Sequence, residues 1–479
     1  MANFLIDRPH RLNGLTAPVR FGCVVPGGSG LRLRHAIEPA RAVSAAPSAV
    51  DSGVARRWYV LLVLTLVYAL SIADRFVMST LIEPIKADLG LSDSSIGFLT
   101  GSSLAFFYVT AGLPLATLAD RTNRRTMIAL ALGAWSVMTT LCGFAQNYWQ
   151  LLLARIGVGV GEAGGTPPSA SLLSDYFTSR RRALALSVYS VGASLGSMMG
   201  SSAGYASDAW GWRAAFYVLG VPGVLVAVLV AVTIREPERG RLDAVPAPTP
   251  AATATVTATA TATATASARA TTLKDTLRFA RVQPALLHTW LGATVYTLWS
   301  WGLMWWTPSF LVRSHHMTLG DAGGALSLMH GIGGTAVLLL TMLLMGPLGK
   351  RDPRLVPWFV AASIVIGTVP SIVAYSAASS HTALLMLWIF IPLSYAPFGP
   401  TYALLQNLVP ASMRAQAVAV MLFCANIANL VIAPQVVGFA SDLLRPLYGA
   451  ESLRHVLVPM AFVGFWAAWH YWRCAKYLR

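Results

Sequence analysis

Apolar residues in this chain come in long runs separated by short polar breaks, with neither the alternation of half-buried strands nor the narrow stripe of soluble amphipathic helices. Residues 57–82, 95–118, 126–146, 148–173, 183–207 and 212–234 form a first group of six runs. Residues 284–312, 322–345, 355–377, 382–408, 415–440 and 454–472 form a second. About 20 residues rising 1.5 Å each cross ~30 Å of hydrocarbon, so each run predicts a membrane-spanning helix. The pattern therefore predicts an all-α membrane protein with twelve transmembrane helices in two six-helix bundles.

The polar stretches set the domain limits. Residues 1–55 are rich in Arg, Ala, Gly and Pro, lack an apolar core long enough for a secretory signal, and are expected to be a disordered extension. An Arg-rich transit peptide or an upstream start codon would give the same composition. Residues 56–234 hold the first bundle and 283–479 the second with a short tail. Between them, residues 235–282 include "APTPAATATVTATATATATASARATTLKD", too repetitive and too poor in large apolar side chains to bury a core, and read as a mobile linker.

Composition agrees: the 479 residues are 55% hydrophobic and 11% charged, with mean hydropathy +0.59, where soluble domains carry about 25% charged residues. The net charge of +16 does not point to nucleic acid, because the basic residues are scattered through short loops and tails. They divide by side of the membrane instead. One set of loops holds Arg121, Arg124, Arg125, Arg180 to Arg182, the linker arginines, Lys350, Arg351, Arg354, Arg414 and the tail; the other holds Lys86, Arg213, Arg313, Arg445 and Arg454. The positive-inside rule then puts both termini and the linker in the cytoplasm. Cys23, Cys142, Cys424 and Cys474 form no CxxC and no cluster with histidine, so neither a metal site nor a disulfide framework is expected, and no cofactor.

The loop after the second run reads "GLPLATLADRTNRR". It resembles the G-x-L-A-D-R-x-G-R-R loop of the major facilitator superfamily, with Asp120, Arg121, Arg124 and Arg125 matching and Ala116 and Asn123 standing where the family has glycine. Asn123 is expected to take the left-handed turn, a conformation Asn enters more readily than most residues. "ALSIADRFVMSTLIEPIKADLGLSDSSIGFLTG", "RIGVGVGEAGGTPPSASLLSDYF" and "GPTYALLQNLVPASMRAQAVAVMLFCANIANLVIAPQVVGFASD" narrow the resemblance to the spinster-like branch, across residues 57–472 without the linker. The resemblance implies two pseudo-symmetric six-helix bundles and a cytoplasmic gate in which Asp120 meets a helix N-terminus of the other half. It departs at "MGPLGKRDPR", where Gly346-Pro347 replaces the usual Asp-Arg, so a matching latch on the second half lacks its carboxylate.

Four ionisable residues stand out deep inside the runs, away from their ends: Asp74 and Arg75 in the first, Arg155 and Glu162 in the fourth. Each costs roughly 2.5–3.5 kcal/mol to insert and is usually paired. Arg155 and Glu162 lie two turns apart on one helix face. The cluster is either a static tie between two helices or a proton switch in which Asp74 or Glu162 takes up a proton and releases Arg75 or Arg155. The resemblance implies the second, with Asp74 and Glu162 as the proton-coupling acids and the arginines as charge partners or anion-binding groups. Tyr296, Trp299, Gln406, Asn407, Asn426 and Asn429 are candidates to line a central cavity; Trp301, Trp305 and Trp306 read as an interfacial belt, and His288 and His330 as packed histidines.

Residues Gly159 to Gly164 spell GxGxxG, but inside a membrane run with no preceding strand, so they are not a nucleotide cradle. The useful spacing is Gly157, Gly161 and Gly165, four apart, which lets another helix approach. Pro167 and Pro168 then weaken the helix after Glu162. Without a Walker motif, direct ATP drive is not expected. The whole reads as a secondary transporter of alternating access, expected to be monomeric, in the plasma membrane or the inner membrane of a Gram-negative cell. Its partners are the bilayer, protons and, by the resemblance, a lysophospholipid or sphingoid-type lipid. A small organic anion or hydrophobic drug is the alternative cargo, and a non-transporting sensor the alternative class.

Overall fold

A computed structural model of the protein describes residues 53–102, 110, 122–239 and 273–478, and their regular structure is helical. In chain order α1 is Val54–Thr80 prolonged by Ile82–Leu89, α2 begins as Asp93–Gly97 and Phe98–Ser102, and α3 is Arg124–Cys142. Next come α4 (Tyr148–Glu162 and Thr166–Tyr176), α5 (Ser179–Ser201 and Ala203–Trp210) and α6 (Trp212–Thr233). A surface helix, α7 (Leu273–Val282), precedes α8 (Pro284–His315) and α9 (Leu319–Leu328, Met329–Gly334 and Thr335–Arg351). The chain closes with α10 (Leu355–Ser376), α11 (Ser380–Leu393 and Phe398–Leu408), α12 (Arg414–Asn426, Ile427–Ile432 and Ala433–Tyr448) and α13 (Ser452–Ala461 and Val463–Lys476).

Among the described residues, seven helical runs are long and apolar enough to cross a membrane by themselves. The helix starts follow local chemistry. The side chains of Ser92, Asn123, Asn147 and Thr318 accept backbone N–H groups at the openings of α2, α3, α4 and α9, supplying partners that the first turn of a helix lacks. Asn123 departs from the left-handed turn expected of it: its φ is −72° and its ψ 113°, because its carboxamide caps α3. A second departure is α7, which falls in the stretch read as mobile linker; Thr276 and Ala280 form its buried face, and Thr276 donates to Gln416 of α12 at 2.5 Å.

Besides a smaller contact of α1 with α8, two seams among the described residues join the first six helices to the last six, α2 against α12 and α5 against α9. On three of these four helices the α-geometry widens into π-helix, at Phe98–Ser102, Met329–Gly334 and Ile427–Ile432. Extra residues of this kind are common at working positions of helices. Backbones nearly touch along the α2–α12 seam: a Cβ on Gly101 would stand 2.0 Å from the Leu430 carbonyl oxygen, and one on Gly438 2.4 Å from that of Asp93.

Candidate functional site

Asp74 sits in the body of α1 and is 1% exposed; Arg155 of α4 is 0% exposed. Arg155 Nη1 donates to Asp74 Oδ2 at 2.6 Å, and the Thr139 hydroxyl of α3 donates to the other carboxylate oxygen. Arg75, the next residue of α1, donates through Nε and Nη2 to Glu162 Oε2 at 2.9 and 2.6 Å. Glu162 is 1% exposed, whereas the Arg75 side chain keeps 16% of its surface. Adjacent residues of α1 thus engage two points about 10 Å apart along α4, a span bridged by two long arginine side chains. Two crossed ion pairs make the cluster electrically neutral, which is what lets four charges lie at this depth.

Local structure explains how α4 presents them. Its glycines face α3: a Cβ on Gly157 would stand 2.7 Å from the Met138 side chain, one on Gly161 2.8 Å from both the Trp135 backbone nitrogen and Cβ, and one on Gly165 3.0 Å from the Trp135 ring. Arg155 and Glu162 turn instead to α1. The helix breaks directly after Glu162, where Gly164 and Gly165 donate to Gly161 and Glu162, and it restarts at Thr166 with proline in the first turn. Glu162 therefore occupies a helix end that packing, more than backbone bonding, holds in place. Beside Asp74 is a cavity of about 10 Å³, lined by Leu70, Trp135, Ser136, Thr139, Leu219 and Gly220, close to the lower limit for one water.

The expected cavity lining is rearranged. Trp299 is packed inside the second half against Phe390, with Gly464 close by, and does not wall an open space. Tyr296 is buried too, donating to the Ser394 carbonyl. Gln406 and Asn407 are exposed, and the Gln406 carbonyl accepts from Arg414 at 3.0 Å. Asn426 and Asn429 are half-buried, and Asn429 Oδ1 accepts from Trp305 Nε1 at 3.1 Å. Trp301, Trp305 and Trp306 are buried and form no interfacial belt; Trp305 stacks on Phe76 of α1, and its carbonyl accepts from Ser79 at 2.5 Å. His330 is buried with Nδ1 3.0 Å from the Tyr395 hydroxyl, and Nδ1 of His288 lies 3.0 Å from that of His470.

Asp120 and Arg121 lie outside the described residues. Arg124 pairs within its own half, with Asp175 at 2.6 Å and Glu236 at 2.7 Å, and Glu236 also accepts from the Arg125 backbone at 3.0 Å. Among the described residues, the ionic link between halves is at the opposite end of the bundle. Arg313 of α8 donates to both oxygens of Asp93 at 2.7 and 2.6 Å and to Glu83 at 2.8 Å; Lys86 and the Ser441 hydroxyl also reach Asp93. Asp442 of α12 accepts from the Asp93 and Ser94 backbones at 3.0 and 2.7 Å, placing a carboxylate on the N-terminus of α2. Burial pushes the Asp93 carboxyl up, but the Arg313 guanidinium and Lys86 ammonium more than offset this and hold it well below the usual carboxylate range. Sequence reading missed this latch because its residues are ordinary loop-edge charges. The one available signal was Ser92-Asp93-Ser94, a capping pattern next to the few basic residues on that side.

The sequence pattern of the Major Facilitator Superfamily matches residues 64–433. An MFS-type efflux pump of Mycolicibacterium smegmatis is 32% identical over 448 residues, covering 91% of this chain and 98% of the pump. A sphingosine-1-phosphate transporter of Danio rerio is 24% identical over 407 residues, covering 80% and 76%. Among solved structures, a bacterial homolog of the human lysosomal transporter Spinster, crystallised inward-facing and unoccupied, superposes with a TM-score of 0.73 at 27% identity, covering 88% of this chain and 97% of its own.

Proposed function

This chain belongs to the major facilitator superfamily of transporters, in its spinster-like branch, and from that premise we propose that it moves an amphipathic, lipid-like substrate by alternating access driven by protons. The observation that carries the reading is the pair of crossed ion pairs joining α1 to α4. A proton on Glu162 or Asp74 frees one arginine and removes one tie between the two helices. Desolvation and the facing guanidinium act in opposite directions on a buried carboxylate, so a small change of geometry switches its preferred state.

Helix α1 links that event to the rest of the molecule. Within about one turn beyond the charges, Phe76 and Ser79 hold Trp305 of α8; about two turns beyond, Glu83 holds Arg313 in the ionic latch. Releasing α1 from α4 therefore loosens the side of the latch that α1 carries. Arg75 is the least buried of the four and is the group assigned to the anionic head of a substrate. The Danio relative, a sphingosine-1-phosphate transporter, supports a lipid with such a head. The Mycolicibacterium relative, an efflux pump, supports export, with a hydrophobic drug or organic anion as the second cargo class. We assign the protein to the plasma membrane, or the inner membrane of a Gram-negative cell, with termini and linker in the cytoplasm, following its basic loops.

Purified protein in proteoliposomes, offered a radiolabelled lysophospholipid or an organic anion, should accumulate the lysolipid only under a pH gradient. Asp74→Asn and Glu162→Gln should each abolish accumulation and leave counterflow exchange measurable. Accumulation that ignores the pH gradient in the unmodified protein overturns the coupling; accumulation of the organic anion alone overturns the lipid.

A further inference from the structure

We infer that α7 is a membrane-surface helix that binds the anionic headgroups of phospholipids through Lys274, Arg278 and Arg281. It stands apart from the proposed cargo and coupling, and takes from the proposed topology only that the lipids are those of the cytoplasmic leaflet.

The first ground is the order of side chains around α7. Turning about 100° per residue, the helix presents three adjoining stripes of residues three or four apart. Thr276 and Ala280 are buried against the second half, where Thr276 is bonded to Gln416 of α12 and Ala280 joins a core with Trp290 of α8 and Ala417 of α12. Beside them Leu273 and Leu277 are 54% and 41% exposed. Beyond the leucines come Lys274, Arg278 and Arg281, all exposed. Apolar surface therefore runs wider than the protein contact and borders a row of cations. That is the arrangement of a helix lying in a bilayer surface, its apolar edge against acyl chains and its basic edge among headgroups. None of the three cations forms an ion pair with a described residue, and Asp275 lies about 90° around the helix from the middle of the row. Like charges one turn apart on a helix repel, so the row needs a counter-charge from outside the protein.

The second ground is the height of α7. Trp466, Trp469 and Trp472 of α13 are exposed at every third position. Arg473 and Lys476 set their charges over the Trp469 and Trp472 rings, at 5.8 and 3.5 Å from the centroids. Exposed tryptophans beside basic residues at the end of a spanning helix mark the membrane–water interface. His470, next to Trp469, meets His288 of α8 with the two Nδ1 atoms 3.0 Å apart, which transfers that height to α8. From His288 back to Pro284 is about 6 Å of helix, and at Gln283 the chain leaves helical geometry, with φ −114° and ψ 85°, where it joins α7. The headgroup layer is about 5–8 Å deep on each side of a bilayer, so α7 meets α8 inside it.

Native mass spectrometry of the full-length protein in detergent micelles, titrated with phosphatidylglycerol or phosphatidylcholine, tests this. The unmodified protein is compared with the triple variant Lys274→Gln, Arg278→Gln, Arg281→Gln and with a charge-matched control, Lys350→Gln, Arg351→Gln, Arg354→Gln, at the exposed end of α9. The α7 variant should lose on the order of 10- to 100-fold in affinity for the first phosphatidylglycerol bound, with phosphatidylcholine unaffected and the control close to the unmodified protein. No loss in the α7 variant, or an equal loss in the control, overturns the site. Glycerol 3-phosphate carries the charge without acyl chains; if it competes as well as the lipid does, a soluble anion is the ligand and the lipid is overturned. Should the triple variant fail to fold, a spin label on Leu277→Cys in phosphatidylglycerol liposomes decides: greater accessibility to oxygen than to a water-soluble nickel chelate is expected, and the reverse overturns the surface placement. Binding in micelles does not depend on which leaflet α7 borders, so this test and the assigned topology fail separately.

Discussion

Replacing Asp93 by asparagine should shift the protein toward a state open at the latch end. The substitution keeps the shape of the side chain and removes its charge. Lys86 loses a partner as well, but Lys86 and Asp93 both belong to the first half, so that loss is common to both conformations and drops out of their difference. What differs is the contact across the halves: the two Arg313 bonds to Asp93 at 2.7 and 2.6 Å, and the Ser441 hydroxyl at 2.8 Å, whose bond an asparagine oxygen still accepts. A hydrogen bond to a charged group contributes about 1.5–3 kcal/mol net. Two bonds from one guanidinium do not add fully, and Arg313 keeps Glu83 at 2.8 Å. The expected bias is therefore about 2–3 kcal/mol, or roughly 30- to 150-fold in the ratio of open to closed populations. Spin labels at Gln146 and Ala450, both exposed near the latch end of the bundle, would report it by pulsed electron resonance. The unmodified protein should give one short distance, and Asp93→Asn an added longer one. Unchanged distributions in both Asp93→Asn and Arg313→Gln would refute the assignment of this network as the latch.

Because the Asp93 carboxyl is held well below the ordinary range, its stabilising contribution is complete above the ordinary carboxylate pKa and is lost only as pH falls below it. With Asp74→Asn and Glu162→Gln removing the other switch, the latch-end distance should be constant from about pH 8 to about pH 5; a change there would show that the latch itself titrates. Gly161→Ala should lower the melting temperature of the solubilised protein, since its methyl would meet the Trp135 backbone at 2.8 Å, at a cost of about 1–3 kcal/mol. Gly165→Ala, facing only the Trp135 ring at 3.0 Å, should cost less. Arg155→Ala strands a buried carboxylate and should destabilise by about 3–5 kcal/mol, whereas Asp74→Leu with Arg155→Met should recover much of the melting temperature without restoring pH-driven accumulation. Full stability of Arg155→Ala would argue against the Asp74 pair.

Much of the fold was legible in the chain because lipid imposes a simple rule: a long apolar run must become a helix that satisfies its own backbone. Short capping side chains such as Asn147 and Thr318 marked where some of these helices start. The break after Glu162 was likewise written in Gly and Pro, residues whose backbone preferences are local. The widening at Met329–Gly334 and Ile427–Ile432 was not legible, since nothing in those residues alone demands an extra residue per turn; the close neighbouring helix does. The tryptophans misled for a related reason. Trp301, Trp305 and Trp306 have the composition of an interfacial belt, and only the approach of Phe76 and Asn429 turned Trp305 inward.

By itself, then, the sequence determined where the long apolar helices run, that the chain spans a membrane as two sets of six, and that Asp74, Arg75, Arg155 and Glu162 are costly enough at depth to need partners. The tertiary structure decided which charge meets which: Arg155 takes Asp74, Arg75 takes Glu162, and Arg313 crosses to Asp93 to close one end. The division has a physical cause. Hydrophobicity and backbone preference act residue by residue along the chain, while pairing depends on how helices distant in sequence cross, and those crossings are set by packing that no single stretch contains.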